Sequence, residues 1–140
     1  MKDYITGIWR SLQGIAAAAG GWIGFLLGET DGMLTALYVL IVLDYITGII
    51  CAIIDHRLSS RIGLIGICKK VLILIMVGVG NILDIHVIGS GGTLRGIVIA
   101  FYLSNEGLSV IENAAHAGLP VPEKVKQVLE QLHNREEKEK

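Results

Sequence analysis

Long apolar runs broken by short polar turns fill the chain from Leu12 to Ala117. A helix needs about 20 mostly apolar residues to cross the hydrocarbon core of a bilayer, and four windows approach that length. The first, about Leu12 to Gly28, is built from alanine and glycine, with Trp22, Phe25, Leu26 and Leu27 toward its end. Small residues contribute little transfer free energy, so this span is expected to be weakly held. The second, about Met33 to Ile54, contains twelve large aliphatic residues. At roughly −0.3 to −0.6 kcal/mol each, they outweigh the cost of about 3 kcal/mol for Asp44 at its centre. The third, about Val71 to Ile88, opens on the uninterrupted apolar run from Val71 to Val79 and carries Asn81 and Asp84 near its far end. The fourth begins near Thr93 and runs helically to about Ala117, with only its first half, through Leu103, convincingly apolar.

Gly28 to Gly32 and Gly89 to Gly92 join neighbouring spans by loops short enough to force antiparallel packing. Gly118, Pro120 and Pro122 end the fourth helix, because glycine suits a helix C-terminus and proline cannot continue the helix. Beyond it, Val121, Val125, Val128, Leu129 and Leu132 recur at helical spacing among Glu and Lys, which predicts a short amphipathic helix ahead of the mixed-charge run Asn134 to Lys140. The expected fold is therefore an all-α integral membrane protein with about four transmembrane helices. A transmembrane domain would cover residues 1–118, and a charged tail residues 119–140.

With four spans, Lys2 and Arg10, then Arg57, Arg61, Lys69 and Lys70, then Lys124, Lys126, Arg135, Lys138 and Lys140 fall on one side, and Arg95 stands alone on the other. By the positive-inside rule both termini are then cytoplasmic. The first window has a positive flank like a signal peptide, but the further apolar segments downstream favour a retained span.

Composition agrees: 52% of residues are hydrophobic and 18% charged, unlike a water-soluble domain. A formal net charge of −1 gives nothing to attract nucleic acid. Cys51 and Cys68 show no metal-ligand or disulfide spacing and read as packing residues. The four histidines are scattered, and neither a phosphate-binding glycine loop nor a serine with a base at recognisable spacing is present. An enzyme is not expected, nor a cofactor. Asp-Tyr-Ile-Thr-Gly-Ile occurs at Asp3 to Ile8 and again at Asp44 to Ile49, without wider similarity around the two copies.

Ionisable groups within a span are costly and face a bundle interior, a partner or water. Asp44, Thr47, Gly48, Cys51 and Asp55 share one helical face. Lys70, Asn81 and Asp84 share another, and Arg95, Tyr102, Asn105, Glu106, Ser109, Glu112, Asn113 and His116 form a polar stripe on the fourth helix. In one reading these edges satisfy each other in a closed bundle, with Asp84 near Arg95 and Lys70 near Glu112. In the other they line water once copies assemble, and one chain can do both in turn. Ala16, Gly20, Gly24 and Gly28 recur every four residues, a small-residue surface for close helix packing within or between subunits.

The run Asp44-Tyr45-Ile46-Thr47-Gly48 is followed by Ser59-Ser60, Gly63, Gly66-Ile67 and Lys69-Lys70. Leu83-Asp84, Asn105-Glu106-Gly107-Leu108-Ser109, Glu112-Asn113 and Gly118-Leu119-Pro120-Val121-Pro122-Glu123 come after it. Together they resemble the toxin-secretion and phage-lysis holins, over roughly three quarters of the chain from Gly32 onward. That family includes the clostridial toxin-export holin and holins of Gram-positive phages. The resemblance implies a homo-oligomer in the host bacterial cytoplasmic membrane that opens lesions at a set time and lets an endolysin, or a toxin, pass. An antiholin would be a further partner. The competing expectations are a small ion-channel or transporter subunit conducting past Asp44 and Glu106, or an antiholin itself.

Overall fold

A computed structural model describes residues 1–89, 91–128 and 131, with the backbone alone for Lys2 and Asp3. It is all-helical, and no strand occurs among the described residues. Four long helices follow one another: α1 (Lys2–Leu27), α2 (Gly32–Ile54), α3 (Ser60–Leu83), which runs on into a π-helical turn (Asp84–Ile88), and α4 (Thr93–His116). Among the described residues, three helical stretches are long and apolar enough to cross a membrane: Gly32–Ile54, Ser60–Ile88 and Thr93–His116. The first helix is not among them. Its glycines, together with Arg10, Ser11 and Gln13, dilute its apolar residues.

Local signals explain the boundaries. Asp31 caps α2, its carboxylate accepting the Leu34 N–H at 2.8 Å, and Ser59 caps α3 through the Ile62 N–H at 3.2 Å. The third helix thus starts eleven residues before the expected window at Val71. Arg61, Lys69 and Lys70 break an apolar count without breaking a helix, since Lys and Arg are good helix formers. At the end of α4, Gly118 has a φ of +88°. Its N–H bonds to the Ala115 carbonyl at 3.0 Å and the Leu119 N–H to that of Ala114 at 3.0 Å, the paired bonds of a Schellman motif. Residues 123–128 are helical, with Val125 and Val128 exposed, while Leu129, Leu132 and the run from Asn134 lie outside the described residues.

α4 is the central helix, packed against both α2 and α3. Near its N-terminus it lies on α3, where Gly80 brings the α3 backbone against that of Arg95; a Cβ there would sit 3.2 Å from the Arg95 Cα. Farther along, α3 crosses toward α2. The Tyr45 ring covers Gly66, a Cβ on which would stand 3.2 Å from the ring, and the Tyr45 hydroxyl donates to the Gly63 carbonyl at 3.4 Å. The apolar core of Leu27, Leu34, Leu37, Ile41, Ile73, Val77 and Ile99 is small. Most large apolar side chains point outward, Leu72, Ile85 and Val87 among them. In water so much bare apolar surface would drive aggregation, whereas lipid tails solvate it without cost.

Along its length α1 packs against α3, and only its last residue, Leu27, also meets α4, through the Arg95 side chain. Leu26 fits against Gly78, where a Cβ would come within 2.6 Å of its side chain, and Leu27 is buried. Ile5, Ile8, Trp9, Leu12, Ile15 and Trp22 are exposed, and Gly20 and Gly24 face open space within one copy.

Candidate functional site

Two polar networks cross the bundle. The first lies where the α1–α2 and α3–α4 connections meet. Arg95, buried in the first turn of α4, spreads its guanidinium over the α1–α2 loop. Nε donates to the Leu27 carbonyl at 2.7 Å, Nη2 to that of Glu29 at 2.6 Å, and Nη1 to the Asp31 carboxylate at 2.6 Å. The planar fork of arginine makes three diverging bonds of this kind possible. Arg95 and the Leu34 N–H hold the Asp31 carboxyl below the usual carboxylate range. Asp84, 2% exposed, turns its carboxylate onto the N-terminus of α4 and accepts the backbone N–H of Leu94 at 3.1 Å and of Arg95 at 2.7 Å. Gly92, at the N-cap position, has no side chain to do this, so a residue of the preceding turn caps α4 in its place. Asn81 donates to the Phe25 and Leu26 carbonyls at 3.3 and 3.1 Å, closing the C-terminal end of α1.

The second network sits roughly 16 Å farther along α4, at 1.5 Å of rise per residue. Lys70 of α3 forms ion pairs with Asp44 of α2 and Glu106 of α4, so one ammonium ties all three helices together. Asn113 donates to the second oxygen of Asp44 at 3.2 Å and to the Thr47 hydroxyl at 3.0 Å, and its carbonyl accepts from the Cys51 thiol at 3.3 Å. Beyond the end of α2, Asp55 meets His116 at 2.9 Å and Arg57. Hydrogen bonds from Arg57, the larger contributor, and from His116 hold its carboxyl below the usual range. The α2 face read from the sequence therefore lies against two residues of α4, with Asp44, Thr47 and Cys51 on Asn113 and Asp55 on His116.

Of the positions singled out in the sequence, Asp44, Thr47, Lys70, Glu106 and Asn113 come together in this ion network. Asn81, Asp84 and Arg95 come together at the other end. Two expected pairings differ in detail. Arg95 meets Asp84 through its backbone N–H and sends its guanidinium to Asp31. Lys70 reaches Glu106 in place of Glu112, because the diagonal course of α3 carries it past α4 nearer mid-helix. The polar stripe on α4 divides. Glu106 and Asn113 turn inward, whereas Tyr102, Asn105, Ser109 and Glu112 make no side-chain hydrogen bond or ion pair with any described residue. Gly28 is a turn residue, φ +79°, at which a Cβ would meet the Asn81 side-chain oxygen at 2.6 Å. Asp31 escapes a search by helical periodicity; a carboxylate directly before an apolar helical run is the signal that marks it.

No group of His, Cys, Asp and Glu suited to a metal ion occurs among the described residues. The buried polar side chains instead satisfy one another across apolar helices, which defines a helical membrane protein with an internal ion network. Residues 21–134 match the model of the bacteriophage holin family, and the chain belongs to that family. It is similar to a protein named "Probable holin" of Bacillus phage phi105, 33% identical over 82% of this chain and 81% of the phage protein. An uncharacterized protein of Halalkalibacterium halodurans is 37% identical over 91% of this chain and 97% of its own length. An uncharacterized 14.9 kDa protein of the nagH 3' region of Clostridium perfringens is 43% identical over 79% and 84%. No solved structure matches the chain.

Proposed function

We propose that this protein is a working holin: it accumulates in the cytoplasmic membrane of a bacterial host, assembles as a homo-oligomer, and opens lesions through which an endolysin passes. At a toxin locus the cargo would be a toxin. Membership of the holin family supports this, as does the phage relative's name. The observation that carries the mechanism is the Lys70–Asp44–Glu106 network. Its one ammonium and two carboxylates find their partners within one copy, so these three groups need no second chain to sit in lipid. Because those bonds run between three different helices, parting the helices would turn the same groups toward water. The polar positions would then line the lesion, from Asp44 and Thr47 through Lys70 to Glu106 and Asn113. The resting state is closed because lipid is a poor solvent for bare charges.

Four spans with both termini cytoplasmic suit this chain. α1 is about 39 Å long at 1.5 Å per residue, enough for a hydrocarbon core of about 30 Å. Its C-terminal end is pinned at the Arg95 network, so spanning places Lys2 and Arg10 on the same side as Arg57, Arg61, Lys69 and Lys70. A cysteine at Tyr4 that reacts with an impermeant maleimide only after the cells are opened fits; labelling from outside refutes that topology.

Controlled expression with a co-expressed endolysin tests the function. Delayed, abrupt loss of viability with release of the folded enzyme is the expected result. Ion leakage with the enzyme retained would point to a channel, and a chain that never kills but delays another holin would be an antiholin.

A further inference from the structure

We infer that the face of α4 bearing Tyr102, Asn105, Ser109 and Glu112 is the seam along which two copies of this chain pair, side by side and parallel, in the bilayer. The inference takes from the proposed function only that α4 crosses a membrane; it does not require a lesion or a cargo.

Three observations lead to it. The four residues succeed one another at steps of three, four and three, which places them on one stripe of the helix. α3 covers the N-terminal part of that flank, where Gly80 lies against Arg95 and Val98, and then crosses to α2, where Gly63 and Gly66 lie against Tyr45. Below that crossing the flank opens progressively: Tyr102 packs against the apolar core, Asn105 and Ser109 are half-buried, and Glu112 is exposed. Asp44, Lys70, Asn81, Asp84, Arg95, Glu106 and Asn113 are bonded inside the single copy. Only on this stripe do a phenol, a carboxamide, a hydroxyl and a carboxylate together lack a hydrogen-bond partner among the described residues.

The chemistry of the stripe selects its occupant. Hydrocarbon cannot satisfy an amide, and an apolar partner helix would bury it bare. Asn105 carries both donors and acceptors, as do the hydroxyls of Tyr102 and Ser109, so each can bond to its own equivalent. Copies inserted by the same charge distribution lie parallel, which brings identical residues to identical depth. Asparagine at one position of a parallel helix pair bonds to its counterpart and fixes the register. The alternating spacing suits the shallow left-handed crossing of about 20° usual for membrane helices. Glu112 lies one turn from the His116 end of the helix and is exposed, so it reaches interfacial water and need not be neutralised by its equivalent.

The test is disulfide crosslinking in native membranes, in full-length protein with Cys51→Ala and Cys68→Ser. Asn105→Cys should form a crosslinked dimer at least several-fold more efficiently than Ile97→Cys, which is exposed on another face of the same helix. Asn105→Leu should weaken dimerisation about fivefold, in line with the modest worth of a hydrogen bond between membrane helices, and Asn105→Gln should restore part of it. Should Asn105→Cys fail to accumulate, Ser109→Cys reads the same seam one turn away. Equal crosslinking at Ile97, or free labelling of the Asn105→Cys thiol by a water-borne maleimide without crosslinking, overturns the seam. Normal lysis without a crosslink removes the seam and leaves the function standing. A crosslink with no release of endolysin does the reverse.

Discussion

The two polar networks differ in what they bond. At the Arg95 end a guanidinium is spent largely on backbone carbonyls of a loop, and a carboxylate on the N–H groups of a helix start. Those partners exist only if the chain has turned at that point, so the network is part of the fold. At the Lys70 network the bonds join side chain to side chain between helices whose own backbones are already satisfied. That arrangement can be undone without unravelling any helix. The contrast teaches that burial of charge alone does not mark a switch; what matters is whether the partners are groups the fold itself needs.

The comparison breaks first at Arg95. Arg95→Leu leaves the Leu27 and Glu29 carbonyls without their donor, while the half-exposed Asp31 carboxylate keeps the Leu34 N–H and can turn to water; it should cost about 2–4 kcal/mol, at the usual 1–3 kcal/mol for each buried acceptor left unmade. Membrane abundance in a pulse–chase should collapse, and Arg95→Lys, lacking the fork, should rescue little. Replacing the whole second network with Lys70→Met, Asp44→Leu and Glu106→Leu should be neutral or stabilising by up to about 1–4 kcal/mol. Abundance should hold while lysis is delayed or lost; a triple variant that lyses on schedule at equal abundance ends the idea that this network is the switch. The single Glu106→Leu change should shift timing in the same sense.

Gly28→Ala places a Cβ into the Asn81 side chain at a φ of +79°, a strain worth about 1–3 kcal/mol. It should free α1 without unfolding the rest, seen as faster proteolysis confined to residues before Gly32. The smallest effect is that of pH. Asp31 has its carboxyl lowered in the folded chain, so its contribution is complete above the ordinary aspartate range and is lost as pH falls through the lower folded value. Protection of α1 should be flat from about pH 8 to 5 and decline only below about pH 4. Decline near pH 6 would implicate a histidine.

α2 and α4 were legible nearly to the residue, expected as Met33 to Ile54 and Thr93 to Ala117 and found as Gly32–Ile54 and Thr93–His116. Aspartate, glycine and proline punctuate them sharply. The start of α3 was hidden because a search for oily residues discounts Arg61, Lys69 and Lys70. Spacing along α2 revealed which residues share a face, since periodicity is a property of one helix. It could not reveal what that face meets. Arg95 and Asp31 are 64 residues apart, and the choice of Glu106 over Glu112 by Lys70 depends on how α3 slants across its neighbours. Nor could it divide the polar stripe of α4 into an inward and an outward edge.

The π-helical turn at Asp84–Ile88, closed by the Gly89 N–H on the Asp84 carbonyl at 2.8 Å, packs more residues into its turn than an α-helix would. Because an ordinary helical turn takes about 3.6 residues and this wide turn close to one more, excising a single residue there would let the coil revert to ordinary pitch with the glycine-rich connection still aimed nearly where it was. The hairpin should thus tolerate a one-residue deletion between Ile85 and Ile88, whereas the same deletion between Val71 and Val79, in regular helix, would turn everything after it by roughly 100° and part Asn81 and Asp84 from their partners.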